Sequence, residues 1–322
     1  MKLKVALAIV YGLLGCALTF GQAPAQNQSR DDTVAPDIPG VVVGGTKVQF
    51  IKDGFLGTEG PIALPDGGFV FTETQASRIT RIDGNGNTST YLENTNQSNG
   101  LAFDTKGRLI SVQRGKPQVG VLTPTRTVLA DSFEGQPFRA PNDLTVDRKG
   151  GVYFSDPGTN PQPGQPAPPK PALYYMRPDG QVIKLADDIS RPNGVLLSAD
   201  EKILYVADTS GQYVLAYDVQ PDGSVRNRRN FAKLEGGRQT ETGIAGGADG
   251  LAIDANRRLY VASTAGVQVF TPTGQHLGTI PVSRAPQNIA FAGPDKKTMY
   301  IVARGAAYKI AMQAQGFLGR AK

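Results

Sequence analysis

The amino-acid sequence predicts an all-β fold, a six-bladed β-propeller closed by pairing an amino-terminal strand with the last blade. Three observations carry this expectation. One segment type recurs six times, turn residues are abundant, and no stretch has a long helical period. The recurring segment is a polar residue, an alternating apolar strand, a turn rich in Asp, Gly or Lys, and a second apolar strand. It begins "EGPIALPDGGFVFTE" at Glu59, "NGLAFDTKGRLISVQ" at Asn99 and "NDLTVDRKGGVYFSD" at Asn142. It returns as "NGVLLSADEKILYVAD" at Asn193, "DGLAIDANRRLYVAS" at Asp249 and "NIAFAGPDKKTMYIVA" at Asn288. Intervals of 39 to 56 positions leave room for four short strands and their turns. The 39 Gly and 23 Pro among 322 residues supply those turns, and six such units imply six blades.

The elements follow in chain order. Lys2 and Lys4 precede an apolar run from Val5 to Phe20, after which polar "GQAPAQNQSR" takes over. Residues 1–25 therefore read as a secretory signal, too short for a stable membrane span. Cleavage near Gly21, Ala23 or Ala25 competes with a second reading, in which "LLGC" resembles a lipobox and Cys16 becomes a lipid anchor. Both readings place the chain outside the cytoplasm, periplasmic or secreted. Residues 26–45 read as a flexible lead-in, and 46–322 as one propeller domain. The last unit supplies three strands before the chain ends. The fourth is expected from "KVQFIKDGF" near residues 47 to 55, which would leave no open sheet edge.

Composition excludes several chemistries. Cys16 is the only cysteine and lies in the signal, so a cleaved chain has no thiol nucleophile, disulfide or Cys-ligated metal. The single His276 falls in the expected surface turn "TPTGQHLG", which argues against zinc and, with no GxSxG motif, against a Ser-His-Asp triad. The formal charge of +6 becomes +4 without Lys2 and Lys4. Arg226, Arg228 and Arg229 read as a solvated turn, so no nucleic-acid partner is expected.

In a propeller the first strand of each blade lines the central channel, so Glu59, Asn99, Asn142, Asn193, Asp249 and Asn288 should meet at one mouth. Asn and Asp before Gly also serve ordinary strand-leading turns, and for Asn99 and Asn288 that role is the simpler one. Two carboxylates with two amide oxygens nevertheless form a hard-oxygen set suited to Ca²⁺. The loops after the second strands belong to the same face, among them Gln113-Arg114-Gly115. So does the proline-rich segment 160–171, a stiff wall over the site or a spacer.

From Glu59 to about Ile310 the sequence resembles the gluconolactonase / senescence marker protein (regucalcin) family of six-bladed metal-dependent hydrolases. A more distant similarity runs to diisopropylfluorophosphatase. The carrying phrases are "EGP" at 59, "APND" at 140, "DISRPNGVLLSADEKILYVADT" at 188 and "GGADGLAIDANRRLYVASTAGVQVFTPTGQHLG" at 246. The resemblance implies that Glu59, Asn142, Asn193 and Asp249 hold one divalent cation, Ca²⁺ or a substitute. Two departures bear on substrate choice: "VQRG" stands where many bacterial relatives read "EHG", and Ile62-Ala63 follows "EGP" where an aromatic is common.

With a cation at the mouth, Asp249 is the expected general base and Asn142 an orienting group for substrate or water, while Asn99, Gln113 and Arg114 are the expected substrate contacts. The leading expectation is an exported Ca²⁺-dependent lactonase acting on a small molecule, of the sugar-lactone type. The alternatives are a non-catalytic propeller that binds a protein or glycan around a structural metal, and a phosphotriester hydrolase.

Overall fold

The computed structural model describes residues 32–160, 169–241 and 243–319. The expected secretory signal, Cys16 and most of the proline-rich segment lie outside the described residues. Those residues form strands and turns without an α-helix. None of their elements is a helix long and apolar enough to cross a membrane.

Five sheets have four antiparallel strands and the sixth has five. Blades one to five span residues 58–93, 98–130, 144–186, 192–233 and 251–280. Blade six combines Asn288–Ala292, Thr298–Ala303 and Ala306–Ala311 with the amino-terminal strand Lys47–Asp53. The closing pair is antiparallel, with Gln49 opposite Lys309 and Phe50 opposite Tyr308. The expected closure therefore holds, and it ties the two ends of the ring together.

Residues 32–45 depart from the flexible lead-in expected of them. Thr33–Val34 adds a fifth strand by pairing with Lys47 and Val48. Ala35, Ile38, Val41 and Val42 are buried against blades five and six. Four apolar side chains removed from water outweigh the polar composition that suggested disorder.

Each blade's second strand is sandwiched between neighbouring blades, which is why "FVFTE" and "VYFSD" are buried along their whole length. The core is accordingly a set of wedges, one between each adjacent pair of blades. Aromatic side chains fill several of them: Phe69 stacks on Tyr300 at 4.3 Å between blades one and six, and Tyr260 meets Phe291 edge-on at 5.1 Å between blades five and six. The tight turns between strands use the expected Asp. Asp104 Oδ1 accepts from the N–H groups of Lys106 and Arg108, both at 2.9 Å.

Two short elements differ from expectation. Arg226, Arg228 and Arg229 lie on the outermost strand Val225–Lys233 rather than in a turn, where Arg229 pairs with Asp218 at 2.7 Å. A charged outermost strand discourages edge-to-edge association. His276 opens the outermost strand His276–Ile280, half-buried, with Nε2 3.1 Å from Thr279 Oγ1.

Two hairpins are inserted immediately before the inner strands of blades three and five. They are Ser132–Phe133 with Gln136–Pro137, and Arg238–Thr240 with Gly243–Ala245. Both precede residues expected at the mouth, Asn142 and Asp249.

Candidate metal centre and active site

The polar residues that lead the inner strands form a closed ring. A Cβ built on Gly60 would stand 2.0 Å from Asn99 O, and one on Gly194 would stand 2.2 Å from Asp249 O. Glycine follows the polar residue because the next blade's backbone occupies the place of a side chain. Asn99 Nδ2 donates to Asn142 O at 2.8 Å, and Ser155 Oγ donates to Asn193 O at 2.6 Å. Asn193 Nδ2 donates to Thr209 Oγ1, whose hydroxyl in turn donates to Ala248 O, beside Asp249. Gly250 N donates to Gln287 O at 2.8 Å, and Asn288 Nδ2 to Glu59 Oε2 at 3.3 Å. All six residues thus gather at one mouth.

Their roles separate by what their polar atoms touch. Asn288 Oδ1 accepts from Ile289 N at 3.0 Å while its amide nitrogen bonds Glu59. Asn99, 1 % exposed, accepts from Thr74 Oγ1 through Oδ1. Both amides are spent within the protein. By contrast, Oδ1 of Asn142 and Oδ1 of Asn193 are buried with no hydrogen-bond partner, and Oδ1 of Asp249 is buried as well. Leaving such an acceptor unsatisfied costs about 1–3 kcal/mol, a cost a bound cation would remove.

Glu59 is 8 % exposed and held by two amides of blade six, Asn288 Nδ2 and Gln287 Nε2, the latter at 3.4 Å. Gln287 is fixed by Thr58 Oγ1 and Arg304 N. Among the described residues no three His, Cys, Asp or Glu side chains gather. The donor set is therefore two carboxylates with two orphaned amide oxygens. It is all oxygen and carries two negative charges, and it fits a hard divalent cation such as Ca²⁺.

Of the three expected substrate contacts, Asn99 and Gln113 are turned into the protein. Gln113 is 3 % exposed, and its Oε1 accepts from Asn96 Nδ2 at 2.8 Å and Gln118 Nε2 at 2.7 Å. The loop 94–97 carries polar groups that need internal partners, and these amides supply them. Arg114 is exposed beside that loop, its N–H donating to Gln97 O.

A set of brackets was not legible as such in the sequence. Asp156 is buried at the end of a second strand and accepts from Arg139 N at 2.7 Å and Ala140 N at 2.9 Å. Asp208 accepts from Arg191 N at 3.0 Å, and Glu73 from Leu56 N at 3.0 Å. Each carboxylate pins the segment leading into its own blade's inner strand. The recurring acid that ends "FTE", "FSD" and "VAD" is the signal that marks them.

Known proteins agree with this architecture. A gluconolactonase of Zymomonas mobilis is 26 % identical over 295 residues, 82 % of each chain. The solved gluconolactonase of Xanthomonas campestris superposes with a TM-score of 0.74 at 25 % identity, covering 87 % of this chain and 94 % of that one. A calcium-binding regucalcin from Agrobacterium tumefaciens shares the fold, with a TM-score of 0.68 at 19 % identity over 84 % of this chain and 96 % of its own. The SMP-30/gluconolactonase/LRE-like region matches residues 57–305, which include every inner strand and all four candidate ligands, and the chain belongs to that family.

Proposed function

We propose that this protein is an exported Ca²⁺-dependent lactone hydrolase of the sugar-lactone type. The observation that carries the reading is the pair of orphaned amide oxygens, on Asn142 and Asn193, set beside the carboxylates of Glu59 and Asp249 at one channel mouth. Its relatives named gluconolactonase support the reaction class. The calcium-binding neighbour supports the ion. The apolar start of the sequence supports export.

Glu59, Asn142, Asn193 and Asp249 would hold the cation. Bound there, Ca²⁺ supplies positive charge that polarises the lactone carbonyl and offsets the charge developing on its oxygen. The chain's own groups do the rest. Asp249 takes a proton from water as the water oxygen bonds to the carbonyl carbon, and it returns that proton to the ring oxygen when the ring C–O bond breaks. One water is consumed and one hydroxy acid is released. Asn142 orients the reactants, Glu59 is fixed by Gln287 and Asn288, and Thr209 fixes Asn193, so the donors are preorganised.

A panel of sugar and aliphatic lactones assayed with and without a chelator tests the reading. Hydrolysis that chelation abolishes and Ca²⁺ restores is expected, together with a fall of several degrees in Tm on chelation, since a ligand of the folded state alone stabilises it. A chain that melts at the same temperature with and without chelator and hydrolyses no lactone would overturn it.

A further inference from the structure

We propose that the substrate carries an anionic group, a carboxylate or a phosphate, in addition to its lactone ring, and that arginines on the inner loops of the metal-side face receive it. The inference rests on the lactone-hydrolase reading and goes beyond it to the substrate's chemical class.

Three blades deliver an arginine and a proline just ahead of the mouth residue: Arg139-Ala140-Pro141 before Asn142, Arg191-Pro192 before Asn193, and Arg284-Ala285-Pro286 ahead of Asn288. The backbone of the first two is rigid. Asp156 holds the N–H groups of Arg139 and Ala140, and Asp208 holds that of Arg191. These buried carboxylates spend their charge inward on backbone donors and leave the guanidinium charges uncompensated.

Arg284 is the internal contrast. Its side chain is 13 % exposed and pairs with Asp53 at 2.7 Å. Arg139 and Arg191 are exposed and form no ion pair among the described residues. Arg191 reaches Asn160 Oδ1 at 3.3 Å, at the start of the proline-rich segment. Arg114 and Arg304 end the second strands of blades two and six on the same face, and both are exposed.

The exposed acids in the segment before Arg191 are paired elsewhere, Asp187 with Lys184 at 2.9 Å and Asp188 with Arg228. The other exposed acids of this face, Glu93, Asp131, Glu134, Glu235 and Glu241, sit at hairpin tips or at or just after the end of an outermost strand. A chain of three peptide units spans at most about 11 Å, so Arg139 and Arg191 stand within a sugar acid's length of Asn142 and Asn193. Clefts lined by one sign of charge concentrate ligands of the other sign. Planar guanidinium forks suit carboxylate and phosphate alike.

The test compares kcat/KM for glucaro-1,4-lactone and 6-phosphogluconolactone, which carry a carboxylate and a phosphate, with that for uncharged glucono-1,4-lactone. At least a tenfold preference for one charged lactone is expected, shrinking severalfold as salt rises. The double variant Arg139→Gln/Arg191→Gln should lower that preference about tenfold, with partial recovery in Arg139→Lys/Arg191→Lys, while Arg284→Gln should not move it. Equal turnover of charged and uncharged lactones, or a preference untouched by the double variant, overturns the inference and leaves the lactonase reading standing. If no lactone is hydrolysed, the lactonase reading falls, and binding of glucarate by calorimetry decides the inference: tenfold weakening in the double variant supports it, and unchanged or absent binding overturns it.

Discussion

The two mouths of the channel are made by the same inner strands and differ in kind. At one end stand Glu59, Asn142, Asn193 and Asp249. A few residues along the same strands, Ile62, Leu101, Leu144 and Leu196 line the other end, a cavity of about 770 Å³. The two ends differ in chemistry. The large cavity has an apolar wall, and its acids are already answered: Asp66 pairs with Arg81 at 3.0 Å, Asp104 with Arg108 at 2.7 Å, and Asp147 accepts from Tyr175 Oη at 2.8 Å. The polar mouth holds buried acceptors, on Asn142 and Asn193, that the protein itself does not satisfy. A reactive site is better recognised by unmet hydrogen-bonding capacity than by volume.

Substituting one residue at each mouth sharpens this contrast. At the polar mouth, Asp249→Asn keeps an oxygen for the proposed cation and removes the proposed general base. Turnover should fall by about 10²–10⁴-fold, the usual contribution of a positioned base, while calorimetry still detects Ca²⁺ binding. Glu59→Gln should instead lower Ca²⁺ affinity first and recover part of its activity at high Ca²⁺. An Asp249→Asn protein that turns over at the parent rate when saturated with Ca²⁺ would remove Asp249 from the chemistry.

At the apolar mouth, Leu101→Ala should act on stability alone. Leu101 is 1 % exposed in the wedge between blades one and two. Truncating such a leucine costs about 2–5 kcal/mol in unfolding experiments, with kcat/KM below the transition expected within about threefold of the parent value. A hundredfold loss of kcat/KM in the folded variant would mean that the two mouths are coupled through the shared strand.

The same contrast explains what the sequence made legible. Repetition exposed the blades, because each needs the same buried second strand and the same Asp turn, and the closing strand Lys47–Asp53 followed from counting strands. The four candidate ligands were legible because each opens a repeat. Asn99 opens a repeat too, yet it is spent on Thr74 and Asn142. Residue type and spacing cannot separate a ligand from a bracket when both are Asn in the same register. That distinction lies in whether a neighbouring blade offers a partner, which only the assembled ring decides. Residues 32–45 escaped for a related reason. Ala35, Ile38, Val41 and Val42 form no repeat, and their partners lie more than 200 positions away in blades five and six.

The smallest expected effect concerns Lys296, which lines the apolar mouth and whose amine donates to Phe317 O at 3.0 Å. Burial lowers its pKa from 10.5 to about 8, because an ammonium loses hydration there. Between about pH 8 and 10.5 the unfolded chain therefore holds a proton that the folded chain does not, and folding stability gains with rising pH across that window. Below pH 8 both states carry the proton and the folded state bears the full burden of the buried charge. Lys296→Met removes this dependence. The readout is the difference in Tm between parent and variant at pH 7.5 and at pH 10, which cancels the titration of every other group and any constant loss from the Phe317 hydrogen bond. The parent should gain on the variant by about 4–8 °C over that interval, since the shift is worth about 2 kcal/mol across it and 1 kcal/mol moves Tm by about 2–4 °C in a large domain. A difference that stays constant with pH would show that the amine is hydrated in the folded protein, and the apolar mouth would then be wetter than its lining implies.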